Sequence, residues 1–243
     1  MKKTKTLIIG ANSTIAKAIA KQIVDQNEAL VVVTRNSDFY QQDSFKDTTV
    51  IFLENYQESE IAHTMKAISQ QGEVIISRVF ICHGVLHNAR FQPEKRLEDF
   101  SPVAFNEVLH VNTVIPMLWL KHLVPILTSK NPCKIVVFSA RVGSIHENSL
   151  GGWYSYRTSK AALNMLLKTT AVELARRAKN IKLISFHPGT TDSPLSKPFQ
   201  KNVPATKLFT PEFVANKLIA MIEKMEIDGQ ASYLDWQGSS IKW

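Results

Sequence analysis

The feature that most constrains this 243-residue chain is its alternation of short β-branched runs with longer helical stretches. LIIG (7–10), ALVVVT (29–34), TVIFL (49–53), SRVFIC (77–82), CKIVVFS (133–139) and IKLISFH (181–187) read as strands, and ASYLD (231–235) as a last short one. Most are nearly continuous apolar runs, as strands covered on both faces must be. Helical patterns fill the gaps near 14–26, 58–71, 102–128, 155–179 and 211–226. Ser101-Pro102 and Thr210-Pro211 each set a capping hydroxyl before a proline at the first helical position. Strands alternating with helices of this length imply βαβ crossovers and therefore a parallel sheet. The expected fold is α/β: one doubly wound Rossmann-type domain over residues 1–243, with about seven parallel strands and helices on both faces.

Composition narrows the function classes. No composition shift marks a linker, and no run of about 18 apolar residues is expected to span a bilayer. The leader MKKTKT precedes apolar residues, yet LIIGA gives way after five residues to Asn12, Ser13 and Thr14. That is shorter than the ~7–15 residues of a signal-peptide core, so a buried first strand is expected there. Cys82 and Cys133 each sit in an apolar stretch, which suggests reduced core thiols in a cytoplasmic protein and no metal site. The net charge is +8, but the lysines are scattered. The densest cluster, Arg176-Arg177-Ala178-Lys179, ends a helical pattern, where cations complement the helix dipole. No nucleic-acid motif accompanies it, so nucleic acid is not expected, and a small anionic ligand is equally compatible with the charge.

In such a sheet, ligands bind beyond the carboxyl ends of the strands, near the point where strand order reverses. The first strand ends at Gly10, so residues 10–16 line that crevice and the following helix turns its free N–H groups toward it. Alone, one glycine after a strand suits a plain βα turn equally well. The second strand ends at Arg35, with no carboxylate; a guanidinium there suits a 2′-phosphate, favouring NADP(H) over NAD(H). Tyr156 and Lys160 lie one helical turn apart, on one helix face, just after the fifth strand. An ammonium beside a phenol favours the phenolate and brings the tyrosine toward working pH as a proton donor.

These residues, in this order, resemble the short-chain dehydrogenase/reductase family, most of all its C-factor-like and Sniffer-like carbonyl reductase branch. Gly10-Ala11-Asn12-Ser13-Thr14-Ile15-Ala16 falls at the family's glycine-rich turn, and Asn112 in HVNTVIP at its central-helix asparagine. Tyr156 and Lys160 match the catalytic pair, and His187-Pro188-Gly189 with Thr191 and Ser193 matches the segment around nicotinamide. The run RVGSI…GGWYSYRTSKAALN and the late TPEFVANKL carry the likeness to the branch.

The resemblance implies an NADP(H)-dependent carbonyl reductase or alcohol dehydrogenase acting on a small carbonyl or alcohol. Tyr156 is its proton donor, Lys160 lowers the tyrosine pKa and holds the ribose, and Asn112 supports a water chain to Lys160. The implied cofactor wall comprises Gly10, Asn12, Ser13, Thr14, Ile15, Arg35, Glu54, Asn55, Cys82, Gly84, Pro188, Gly189, Thr191 and Ser193, together with the catalytic pair. Residues of about 190–210, including LSKPFQKNVPATKLF, form a substrate lid, and homo-oligomers are the further expectation.

Three departures qualify the likeness. Thr14 and Ala16 replace loop glycines, and Ile81-Cys82-His83-Gly84 stands where the family has N-N-A-G. Ala140 occupies the catalytic-serine position, three residues before Gly143. Ser144 is the expected replacement, with Ser139 second and a serine-free site the remaining alternative. The competing function is a dinucleotide-binding signalling or regulatory protein of the C-factor kind, with weak or vestigial catalysis.

Overall fold

A computed structural model describes residues 4–70 and 75–243 of the chain. In chain order the elements are β1 (Thr4–Ile9), α1 (Thr14–Asp25), β2 (Ala29–Thr34), β3 (Thr49–Phe52), α2 (Glu58–Ser69) and β4 (Ile75–Ile81). There follow α3 (Pro102–Leu109), α4 (Ile115–Leu127), β5 (Cys133–Phe138), α5 (Tyr154–Arg177) and β6 (Ile181–His187). The chain closes with β7 (Thr190–Thr191), β8 (Leu208–Phe209), α6 (Pro211–Glu223) and β9 (Ala231–Asp235). The start of the leader, and residue 71 at the end of the expected second helix, lie outside the described residues.

The main sheet has seven strands in the order β3-β2-β1-β4-β5-β6-β9, every neighbour parallel. Alternate side chains feed two separate cores, as the pleat requires. Leu7, Ile9, Val31, Val33, Val79, Ile81, Ile135 and Val137 pack under α2, α4 and α5. Ile8, Val32, Phe80, Val136 and Phe138 pack on the other face under α1 and α6. Both faces are covered, which explains the continuously apolar strands.

The expected helix over 102–128 departs from regularity. A π turn at His110–Val114 separates α3 from α4, and Asn112 sits inside it. Such a widened turn inserts an extra residue and re-aims the side chains around it. By length and composition alone, Pro102–Leu127 is apolar enough to cross a membrane, although polar residues interrupt it. Its apolar residues Trp119, Leu120, Leu123, Val124 and Leu127 are buried in the first core, so packing against the sheet accounts for the composition.

Between β6 and α6 the chain makes a small excursion that sequence periodicity did not reveal. Thr190 pairs with Leu208 and Thr191 with Phe209, so a two-strand parallel ladder closes a loop carrying 3₁₀ turns at Lys197–Asn202 and Ala205–Lys207.

Candidate active site

The order of the sheet reverses between β1 and β4, and the cleft opens beyond the carboxyl ends of these two strands. Its larger part, about 1070 Å³, extends over the ends of β2 and β3. A smaller part of about 270 Å³ extends over β5, the start of α5 and the loop after β6. Asn12, Ser13, Cys82, His83 and Gly84 line both parts.

The turn after β1 sets the shared wall. Gly10 has φ +74°, and a Cβ there would lie 3.3 Å from the Cys82 carbonyl carbon, so a glycine allows β1 and β4 to end side by side. Ser13 caps α1, accepting from the Ala16 N–H at 3.2 Å. Among the described residues, the N–H groups of Thr14 and Ile15 find no backbone partner, and they belong to the helix end that lines the smaller cavity. Thr14, in place of a glycine, is the first helical residue and lines the cavity itself. Ala16 is fully buried against the sheet.

Gly10, Arg35, Glu54 and Asn55 line the larger cavity together with Asn36 and Tyr56, which sequence reasoning missed. The Arg35 guanidinium lies 5.1 Å from the Tyr56 ring centre. Tyr56 in turn meets the His83 ring edge-on at 4.5 Å, and His83 stacks toward Trp119 at 6.5 Å. This column answers the loss of the N-N-A-G pattern. His83 is core packing, its pKa pushed down to about 3 by burial, with Arg35 and Lys160 adding to the effect.

Thr14, Ile15, Tyr156, Lys160, Pro188, Gly189, Thr191 and Ser193 line the smaller cavity. Lys160 Nζ donates to the Phe138 carbonyl at 2.8 Å and lies 5.9 Å from the Tyr156 ring centre. Only 2% of Lys160 is exposed, and withdrawal from water pulls its pKa down to about 7. Burial, and secondarily the neighbouring Tyr233, pushes the Tyr156 phenol above its ordinary range. In the protein alone desolvation dominates, and the phenol holds its proton.

Asn112 is fully buried. It accepts from the Val85 N–H at 2.7 Å and donates to the Val85 carbonyl at 2.9 Å and to Ser159 Oγ at 3.0 Å. The π turn thus ties the loop after β4 to α5. A Cβ on Gly84 would lie 3.7 Å from Lys160 Nζ and 3.9 Å from Asn112 Oδ1, so the glycine stands beside both.

The serine expectation is corrected. Ser144 lines neither cavity; its hydroxyl donates to the Lys242 carbonyl at 2.5 Å and accepts from the Glu147 N–H at 3.1 Å. It directly follows the 3₁₀ turn Arg141–Gly143, and its hydrogen bond ties that turn to the C-terminal segment. Ser139 does line the smaller cavity, with its hydroxyl donated to Asn164 Oδ1 at 2.8 Å. Ala140 lies in an apolar cluster with Leu86, Val108 and Tyr156, flanked by Val85, Phe91, Val142, Trp153, Leu195 and Phe199.

Pro194, Leu195 and Ser196, within the expected lid segment, line the cleft, and His87 is a further cleft residue that no motif marked. Its place just after β4 is the signal that could have found it. Among the described residues, no cluster of histidine, cysteine, aspartate and glutamate is arranged to hold a metal.

A seven-stranded doubly wound sheet with this pair of side chains at its open end defines a dehydrogenase of the short-chain kind. The short chain dehydrogenase family model matches residues 4–204, and the chain belongs to that family. It is 25% identical to 1-hydroxy-2-glutathionyl-2-methyl-3-butene dehydrogenase of Rhodococcus sp. (strain AD45), covering 98% of each chain. It is 22% identical to the benzil reductase ((S)-benzoin forming) of Bacillus cereus, over 90% of this chain and 94% of that one. Identity to the C-signal of Myxococcus xanthus is 26% over 55% of this chain and 75% of that one.

Among solved structures, the carbonyl reductase Sniffer of D. melanogaster superimposes with a TM-score of 0.84 at 19% identity, over 99% of this chain and all of the other. A Burkholderia multivorans protein determined with bound NADP gives 0.81 at 18% identity, over 99% of this chain and all of that one.

Proposed function

We propose that this chain is an NADP(H)-dependent carbonyl reductase, run in reverse an alcohol dehydrogenase, acting on a small substrate whose carbonyl is flanked by apolar groups. The observation that carries the reading is the buried Tyr156–Lys160 pair, set in one cavity with the N-terminus of α1 and the Pro188-Gly189 turn. The cradle fits a dinucleotide: free N–H groups lie at the helix end, a glycine allows close approach, and an exposed arginine stands at the end of β2. When bound, NADP(H) supplies the hydride.

The remaining chemistry belongs to the chain. Tyr156, protonated, donates to the carbonyl oxygen; a phenol raised by burial is in the correct form for reduction. Lys160 holds the ribose side of the site, and as a cation near the phenol it stabilises the phenolate left after proton transfer. Asn112 Oδ1 and Lys160 Nζ both lie beside Gly84, where a bridging water would return the proton. Arg35 takes the 2′-phosphate, while Glu54 and Asn55 face the adenine end. The lid of residues 190–210 folds Leu195 and Phe199 over the site, with Phe199 5.0 Å from the Trp153 ring centre. With Ala140 in place of a serine, this wall is apolar and aromatic, which supports an apolar or ring-bearing substrate. The benzil reductase relative is named for such a substrate. The free thiols Cys82 and Cys133 suit a cytoplasmic setting.

The test is NADPH and NADH oxidation with a panel of aryl and alkyl aldehydes and ketones, for the parent and Tyr156→Phe. Reduction with NADPH is expected, falling about 10²–10⁴-fold in Tyr156→Phe. A second reading has one observation in its favour: Ala140, in a chain similar to C-signal. Tight NADPH binding without turnover on any carbonyl supports a cofactor-dependent regulatory protein instead.

A further inference from the structure

Helix α5 begins without a cap of its own. Trp153, at its N-cap position, is left-handed at φ 52° and offers no side-chain acceptor to the first turn. Tyr156 is the third residue of that turn, so whatever fixes the turn fixes the phenol. The acceptor comes from far away in sequence. Glu94, in the loop between β4 and α3, is 4% exposed, and its two carboxylate oxygens accept the Ser155 N–H at 3.3 and 3.2 Å. Oε1 also accepts the Ser155 hydroxyl, and the Glu94 backbone carbonyl accepts the Trp153 N–H at 2.5 Å.

Among the described residues, no lysine, arginine or histidine forms an ion pair with Glu94. A carboxylate withdrawn from water without a cation needs its donors and a favourable field. The Ser155 groups and the positive end of a 24-residue helix supply both. The loop that presents Glu94 is itself tied down. Asn88 Oδ1 accepts from the Arg90 and Phe91 N–H groups at 2.8 and 3.2 Å, and its amide donates to Glu107 of α3 at 2.8 Å.

We infer that Glu94 is a positioning residue: it caps α5 from a distance in sequence and so sets where the Tyr156 hydroxyl stands in the cavity. The inference rests on Tyr156 being the proton donor proposed above.

Full-length parent, Glu94→Ala and Glu94→Gln are compared by hydrogen exchange over residues 153–158, by NADPH affinity from fluorescence, and by kcat and KM for a reactive carbonyl. In Glu94→Ala, exchange in that segment accelerates about tenfold or more. NADPH affinity stays within about twofold, and kcat falls about 10- to 100-fold with a smaller change in KM. Glu94→Gln keeps an acceptor oxygen and recovers most of both losses. Unchanged exchange over 153–158 in Glu94→Ala overturns the inference, as does a glutamine variant as disturbed as the alanine one. Exchange that accelerates along the whole chain, with NADPH binding lost, makes Glu94 a residue of general stability and overturns it equally. A parent that binds NADPH but reduces no carbonyl sinks the proposed reaction, while the exchange measurement still decides whether Glu94 anchors the turn.

Discussion

The two parts of the cleft are built from different material. Over the ends of β2 and β3, Arg35, Asn36 and Glu54 stand exposed on turns that follow short strands. Over β5 and α5, Tyr156 and Lys160 are buried, and Asn112 and Ser159 beneath them are fully enclosed. Charges in the first part stay hydrated and cost the fold little. Those in the second are held in low dielectric, where each interaction is stronger and each unmatched group more expensive. On the proposed reading, cofactor preference is therefore adjustable on the surface, whereas the proton-donating pair is held in the core at the expense of stability.

Lys160 is the sharpest place to break this contrast. Its ammonium is buried with one hydrogen-bond partner, the Phe138 carbonyl, and its pKa falls from 10.5 to about 7. Above pH ~10.5 both folded and unfolded lysine are neutral and full stability is present. As the pH drops toward about 7, the unfolded chain takes up a proton that the folded chain binds weakly, and stability is lost. Thermal unfolding of the cofactor-free parent is expected to shift upward between about pH 7 and 8.5, below the range where the raised Cys82 and Cys133 act with the opposite sign, and Lys160→Met is expected to flatten that rise. The same variant raises the pH 7 midpoint by a few degrees yet lowers carbonyl reduction by about 100-fold or more. A variant both less stable and equally active would erase the distinction between the two parts.

Arg35→Ala probes the open part, with a smaller effect. Losing a charge-assisted contact to a 2′-phosphate costs about 1.5–3 kcal/mol, so KM for NADPH is expected to rise about 10- to 100-fold. KM for NADH and the melting temperature change little, because the guanidinium is exposed and its visible contact is the Tyr56 face. A parallel loss for both cofactors would take away the role given to Arg35.

What the sequence disclosed divides along the same line. Strand ends carry their own signal, so Gly10 and Arg35 follow from counting to the carboxyl end of an apolar run, whereas Glu54 and Gly84 come only with the resemblance to the family. Tyr156 and Lys160 follow from helical spacing and from their place after β5. The groups that stayed hidden act through distant contacts. Glu94 meets α5 across 61 residues, and Ser144 meets the C-terminal segment across 98. The π turn at Asn112 was also unreadable, since its apolar pattern continues unbroken through a change of pitch. Periodicity records which face is buried; it does not record which polar group a buried partner selects.

The smallest expected effect is the most discriminating for the serine question. Ser144 satisfies the Lys242 carbonyl and the Glu147 N–H and lines neither part of the cleft. Ser144→Ala should cost about 1 kcal/mol of stability through these bonds and leave kcat within about twofold. Ser139 lines the smaller cavity, but its proton is committed to Asn164 Oδ1, which Ser185 also serves at 2.7 Å. Ser139→Ala therefore leaves Asn164 with one donor still in place, and a kcat loss of no more than about fivefold is expected. If both variants turn over near the parental rate, the substrate oxygen depends on Tyr156 alone. A loss of about 100-fold in Ser139→Ala would mean that its hydroxyl turns from Asn164 to the substrate, and the closed part of the cleft would have a second donor after all.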